Sequence, residues 1–479
     1  MDHTSSTSQS KTEPEPDGAN IVTHTKESVS RTEVGQGRRA ALGSLAGTVI
    51  EFYDFFIYGT AAVLVFGPQF FPNSSSAVGT LAAFSTYAVA FVARPLGAFV
   101  MGHFGDRIGR RSMLLASLFL MGIATVCIGL LPTYAQIGIV APILLVLLRF
   151  AQGFGAGGEW GGAVLMSMEH APKRKRVLYG SMAQLAVPIG ITLATSAFLL
   201  TGWLFTQTQF DSWAWRLPFL ASAALIIVGL LIRLKVEESP DFKALEESKH
   251  ATVSTAPLAE VVRNHWRNIV AGAMVSIAAS ACAIIILVFC LFYATTELDV
   301  ARSTMLWITI LSSAVWLAAV YFSAMAGDRF GTKQAFYVGA AFTVAWAFPL
   351  FWIMNTGSNV AIFVAMAGAA AGIGFMAGPQ GTFIAEAFPV RVRYSGASVA
   401  YSLGGLCGGA FAPLIATAIF TATGSTVYVS VYVAAMGAIS FAGAILLRKH
   451  PETPLAAGPT APSGGDEQVA GIARTTSEV

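Results

Sequence analysis

Five charged residues, Glu51, Asp54, Arg94, Arg149 and Glu159, stand inside long apolar runs in the first third of this sequence. At the centre of a helix in lipid, each costs about 2.5–3.5 kcal/mol unless it is paired or hydrated. Together they imply a shared polar cavity whose chemistry is ion pairing and proton exchange. Glu51 and Asp54 are three residues apart, so on a helix both carboxylates can share one face. Arg94, followed by Pro95, has Glu51 and Glu159 as alternative partners, or it points into the cavity. An arginine not fully neutralised there favours an anionic substrate, because a guanidinium binds a carboxylate through two parallel hydrogen bonds. Gln152 lies one helical turn from Arg149 and can share its face. Tyr53, Tyr58, Gln184, Trp316, Gln380 and Tyr401 offer hydrogen-bonding or stacking groups from other apolar runs. Gln380 follows Gly378-Pro379, and a proline frees backbone carbonyls that can line a cavity. The plain alternatives are packing or lipid contact for the aromatics, and a static buried ion pair for the charges.

These residues need membrane-spanning elements to hold them. Apolar residues make up 55% of the 479, charged residues 11%, and the mean hydropathy is +0.64. A soluble domain carries about 25% charged residues. Continuous apolar runs without two-residue alternation predict helices rather than barrel strands. The expected fold is an all-α polytopic membrane protein of twelve transmembrane helices, from Ala40–Phe66 to Val427–Leu447, in two pseudo-symmetric six-helix halves. The expected division is a disordered tail over 1–38, a first half over 39–234, a loop over 235–267, a second half over 268–447 and a disordered tail over 448–479. Nearly all Lys and Arg residues fall in alternate loops or the tails, so the positive-inside rule puts both termini in the cytoplasm. Each basic cluster abuts a span, which argues against nucleic-acid binding. The four cysteines lie within spans, and no metal cluster, cofactor motif, nucleotide loop or nucleophile–base set stands out, so an enzyme is not expected. Trp203, Trp213 and Trp215 read as interfacial anchors.

The sequence also repeats itself. Gly105-Asp106-Arg107 and Gly109 recur with the same spacing as Gly327-Asp328-Arg329 and Gly331; Glu169, Pro172 and Arg176 recur as Glu386, Pro389 and Arg393. A duplicated membrane half is the pattern of a secondary transporter. Each copy reads as a short charged turn between spans. Asp106, Arg107, Arg110 and Glu169, with Asp328, Arg329, Glu386, Arg391 and Arg393, are expected to form a cytoplasmic gate of salt bridges that latches the halves. Gly153, Gly157 and Gly161 place a small-residue stripe on the fourth span, suited to close packing or to sliding.

The segments GTVIEFYDFFIYG, RPLGAFVMGHFGDRIGRR, LLRFAQGFGAGGEWGGA, WAWRLPF and EAFPVRVRYSGAS resemble the metabolite:proton symporter family of the major facilitator superfamily. GTLAAF, MGIAT and EWGGA are most similar to its bacterial shikimate-transporter branch. The resemblance covers Arg38 to Leu447, while GPQGTFIAEAFP in the tenth span resembles the wider superfamily. It implies alternating access in a bacterial cytoplasmic membrane, with a small-molecule substrate, a proton and the bilayer as partners, and a monomer as the working unit. In related sugar:proton symporters an acid in the first span faces an arginine in the fourth. That parallel implies Asp54 as coupling carboxylate and Arg149 as its partner, with Glu51 or Glu159 as the alternative. Approach and departure of a guanidinium would switch a buried carboxylate between losing and holding a proton. The expected function is proton-coupled import of a small organic acid anion, shikimate-like or related. The alternative is import of a zwitterionic compatible solute, and a non-transporting sensor ranks below both. AQLAVPIGITLA keeps only Pro188 and Gly190 of the drug:proton antiporter pattern, which favours symport. The Pro-rich C-terminal segment lacks the coiled coil of osmosensing members.

Overall fold

The structure, a computed structural model, describes residues 41–72, 76–234 and 257–450. The expected tail over 1–38, most of the 235–267 loop and nearly all of the 448–479 tail lie outside the described residues. Eleven helices among the described residues are long and apolar enough to cross a membrane. They are α2 (Ser76–Ile108), α3 (Arg110–Leu130), α4 (Val140–Glu169), α5 (Met182–Leu204), α6 (Leu217–Leu234), α7 (Trp266–Ile284, continued to Thr296), α8 (Arg302–Phe330), α9 (Thr332–Met354), α10 (Asn359–Ala385), α11 (Arg393–Gly405, continued to Thr423) and α12 (Thr426–Leu446). A further helix, α1, runs over 41–61 and continues through Ala62–Phe66 and Gly67–Phe70, completing the twelve.

Their packing repeats across the chain. α4 lies on α2 and α3, and α3 on α6; likewise α10 lies on α8 and α9, and α9 on α12. The two sets meet along α2 with α11 and α5 with α8. Each pair exchanges equivalent positions, as a pseudo-two-fold relation requires. Three helices carry a wider π turn, at Ala62–Phe66 in α1, Ile285–Phe289 in α7 and Leu406–Ala410 in α11. Such turns re-aim the helix beyond them. The first two fall at matching places in α1 and α7.

Two expectations are corrected. The repeated charged motif is not a turn: Asp106 and Arg107 complete the last turn of α2, and Asp328 and Arg329 that of α8. The break falls at Gly109 and Gly331, at φ 103° and 100°, a region that strains any side chain. Trp215 is not an interfacial anchor. It is fully buried against Phe66, Phe70 and Phe219, whereas Trp203 and Trp213 are exposed. The glycine stripe of α4 also divides. Gly153 and Gly157 let α4 approach the α2 backbone at Ala90 and Arg94, while Gly161 meets Ser398 of α11.

Candidate functional site

The first-helix acids are both buried, and they separate into two environments joined by one aromatic ring. Asp54 is completely enclosed. Ser222 of α6 donates to its Oδ1 at 2.5 Å and Thr125 of α3 to its Oδ2 at 2.9 Å. Arg149 does not touch this carboxylate. Its Nη1 donates to Gln152 Oε1 at 2.5 Å, Gln152 Nε2 donates to Thr125 Oγ1 at 2.7 Å, and Thr125 closes the chain onto Asp54. Every donor in this chain points from the cation toward the acid, so each bond polarises the next. Thr125 has a second acceptor within reach, the Met121 carbonyl at 3.0 Å. When Asp54 carries a proton, the Thr125 hydroxyl can turn to Met121 and accept from the acid instead. The network therefore accommodates both states of Asp54 without an unpaired buried group.

Glu51 sits in the second environment. Arg94 Nη2 of α2 donates to its Oε1 at 2.5 Å, and both residues are more than nine-tenths buried. This is the one hydrogen bond of the Arg94 guanidinium among the described residues, and its Nε is enclosed without an acceptor. Arg94 faces a cavity of ≈ 60 Å³ whose polar lining is Arg94, Gln184, Ser280, Trp316, Gln380 and Tyr401. Phe52, Phe55, Phe56 and Phe91, with aliphatic side chains of α5, α7 and α10, supply its apolar wall. Gln184 Nε2 donates to Gln380 Oε1 at 2.6 Å and Gln380 Nε2 to Ser276 Oγ at 3.1 Å, tying α5 to α10 and α7 across the cavity. Trp316 Nε1 is buried without an acceptor. The space holds a few waters, since one water needs about 10–15 Å³. A metabolite needs more, so this conformation is constricted around the site.

Phe55 connects the two environments. The Arg94 guanidinium lies 4.9 Å from its centroid and that of Arg149 5.5 Å, while Arg149 stacks on Tyr58 at 3.7 Å. Of the residues expected to bind substrate, Arg149, Gln152, Tyr53 and Tyr58 do not line the cavity, nor do the acids Glu51, Asp54 and Glu159. Tyr53 donates to the Pro218 carbonyl at 2.8 Å, Tyr58 is bonded to Thr86 beneath Arg149, and Gln152 belongs to the Asp54 chain. Glu159 accepts from Ser117 of α3 at 3.0 Å. Thr125, Ser222 and Ser276 carry much of the hydrogen bonding, yet a lone hydroxyl in an apolar run reads as packing.

The charged helix ends form a closed seam, built on backbone caps as well as ion pairs. Asp106 accepts from the backbone N–H groups of Tyr394 and Ser395 at 3.3 and 2.9 Å and from Ser395 Oγ at 2.7 Å, at the start of α11. Asp328 accepts from the N–H groups of Val177 and Leu178 at 2.9 and 3.1 Å, ahead of α5. A carboxylate at a helix start also meets the positive end of the helix dipole. Arg393 pairs with Glu169 at 3.5 Å across the same seam. Gly105 lets the Tyr394 ring lie directly on α2, and the Tyr394 hydroxyl donates to the Gly158 carbonyl at 2.7 Å. Glu386 pairs with Lys449 at 3.2 Å, Arg107 lies 3.4 Å from His103, and Arg329 rests on Phe330. Arg391 is exposed, and the Arg110 side chain lies outside the described ones.

Toward the opposite end a second space of ≈ 70 Å³, lined by Phe56, Thr60, Thr195, Ile284 and Thr309 among others, shares Phe56 and Ile284 with the first. The second space thus adjoins the first on the side away from the charged seam.

Comparison with known proteins gives this arrangement its context. The profile described as Major Facilitator Superfamily matches residues 44–406. The "Inner membrane metabolite transport protein YhjE" of Escherichia coli is 40% identical over 420 residues, 87% of this chain and 95% of that protein. The "Shikimate transporter" of Escherichia coli is 39% identical over 422 residues, again 87% and 95%. The "Proline/betaine transporter" of Salmonella typhimurium is 30% identical over 431 residues, 88% and 85%. Among solved structures, the proton:xylose symporter XylE bound to 6-bromo-6-deoxy-D-glucose superposes with a TM-score of 0.71 at 17% identity, covering 86% of this chain and 95% of that one.

Proposed function

We propose that this chain, which belongs to the major facilitator superfamily, is a proton-coupled symporter that imports a small organic acid anion by alternating access. The observation that carries the reading is Arg94, a buried guanidinium that faces the cavity with donors beyond the one given to Glu51. A substrate carboxylate satisfies those donors, and the polar side chains of Gln184, Gln380 and Trp316 meet the rest of the molecule. Asp54 is the coupling carboxylate. Its proton is exchanged through the Thr125 and Ser222 hydroxyls, and Arg149 acts on it through Gln152 and Thr125. By the positive-inside rule, the basic loops favour a cytoplasmic position for the charged seam and both termini. In that orientation the cytoplasmic side is latched and the cavity is approached from outside, as import requires at the start of a cycle. The working unit is a monomer in a bacterial cytoplasmic membrane.

A second reading, import of a zwitterion such as a betaine, draws on the four phenylalanines around the cavity, since aromatic faces attract quaternary ammonium groups. Uptake into cells expressing the protein separates the two. With labelled shikimate, protocatechuate, 2-oxoglutarate, citrate and glycine betaine, an organic acid is accumulated and betaine is not. A protonophore abolishes the accumulation. Accumulation that survives the protonophore, or that is confined to betaine, contradicts the proposal.

A further inference from the structure

We propose that Glu51 and Arg94 form an exchange site, in which the carboxylate of a monocarboxylate substrate replaces Glu51 on Arg94 and Glu51 takes up a proton. This rests on the reading of the Arg94 cavity as the substrate site, and it adds a substrate-linked proton distinct from the one on Asp54. Arg94 is the one Lys or Arg side chain in the cavity lining, and it is held by a single hydrogen bond to Glu51 at 2.5 Å. A planar guanidinium binds one carboxylate through two parallel bonds, so an incoming carboxylate and Glu51 compete for the same fork. Two carboxylates on one buried cation leave a net negative charge in a space with no other cation in its lining, which burial penalises.

A proton on Glu51 relieves the conflict. The Arg94 Nη2–H···Oε1 bond of the ion pair is given up, an O–H bond forms on Glu51 with a proton from the side to which the cavity is open, and Arg94 donates to the substrate carboxylate. Loss of that proton on the other side restores Glu51 as an anion, which retakes Arg94 and displaces the substrate. Only one carboxylate can be compensated, so substrates with two or three are excluded. A zwitterion has no need of the proton, because its cation can sit beside an ionised Glu51. The charged and titratable groups near Glu51 include Arg94 of α2, Tyr401 of α11, Asp54 on its own helix and Arg149 of α4, which shares the Phe55 ring with Arg94. Arg149 is balanced by Asp54, so a substrate carboxylate still adds an uncompensated charge.

Equilibrium binding to the purified full-length protein tests this, using labelled shikimate, citrate and glycine betaine above the pH at which the probes' own carboxylates titrate. One linked proton makes shikimate binding tighten about tenfold per pH unit as pH falls, up to a plateau. Glu51→Gln should hold shikimate at the plateau affinity at every pH, and Asp54→Asn should keep the wild-type slope. Citrate should not bind. A pH-independent affinity for shikimate in the wild type, which needs no variant, overturns the exchange while leaving the organic-acid reading intact. An unchanged slope in Glu51→Gln, or citrate binding, does the same. If betaine alone binds, or none of the three does, the organic-acid reading itself falls, and the exchange with it.

Discussion

Replacing Asp54 by Asn is expected to abolish uphill accumulation of substrate while leaving exchange across the membrane in place. The amide stands in for a permanently protonated acid. It can still accept from Thr125 or Ser222, and its NH2 group can donate where the proton of the acid would. The buried network therefore stays satisfied, and the protein should reach the membrane and bind its substrate. What the variant lacks is the Asp54 proton whose release on the inner side lets the emptied carrier return outward, a step that the proton on Glu51 does not supply. Counterflow in proteoliposomes loaded with unlabelled substrate should proceed, whereas net entry into empty proteoliposomes and accumulation under a proton gradient should both be lost. A variant that still concentrates substrate would move the coupling role to Glu51 or Glu159.

The second large effect is expected at Arg94. Arg94→Ala removes the one cation of the cavity lining and the hydrogen bond it gives to Glu51, which is 1% exposed. Truncating the Arg94 side of a buried, hydrogen-bonded pair with the substrate carboxylate costs about 2–5 kcal/mol. In binding this corresponds to a loss of roughly thirtyfold to several-thousandfold. Arg94→Lys should recover little of it. An ammonium is a compact point charge that cannot present two parallel donors, and it lacks the planar guanidinium that sits 4.9 Å from the Phe55 centroid. Substrate binding to detergent-purified variants measures both. Near-normal affinity in Arg94→Ala would remove Arg94 from the site. If only Arg94→Lys retained affinity, charge rather than the fork would be what matters.

Much of this was legible in the residues alone. Apolar runs interrupted by repeated charged segments predict twelve helices, because backbone groups in lipid have to be satisfied within each span. The repeated Asp-Arg pairs point to a duplicated half, and the packing of α2 with α11 and α5 with α8 has that symmetry. The charged residues of the site were also visible, since Glu51, Asp54, Arg94 and Arg149 are costly in an apolar run and draw attention for that reason. The partners were harder to read. Sequence spacing leaves Arg94 with either Glu51 or Glu159, and only the crossing of α1 with α2 decides for Glu51.

The hydroxyls of Thr125 and Ser222 are cheap to bury and common in membrane helices, so nothing in the sequence marks them as the groups that hold Asp54. The capping role of Asp106 and Asp328 was hidden for another reason. A sequence suggests salt bridges between charged side chains, but the acceptors here meet backbone N–H groups at the starts of distant helices. The motif also looked like a turn because its charges and glycines are turn residues. In the structure the helices run on through them, and the glycine with positive φ in each copy ends the helix.

The account stands on the claim that an organic acid and a proton cross together. Its most direct test is the pH of a weakly buffered suspension of proteoliposomes carrying the protein, recorded as substrate is added outside with no pH gradient imposed and valinomycin with potassium clamping the voltage. Adding the transported organic acid should cause an immediate alkalinisation of the medium, absent from protein-free liposomes and from Asp54→Asn. Substrate entry without any change in external pH would contradict it.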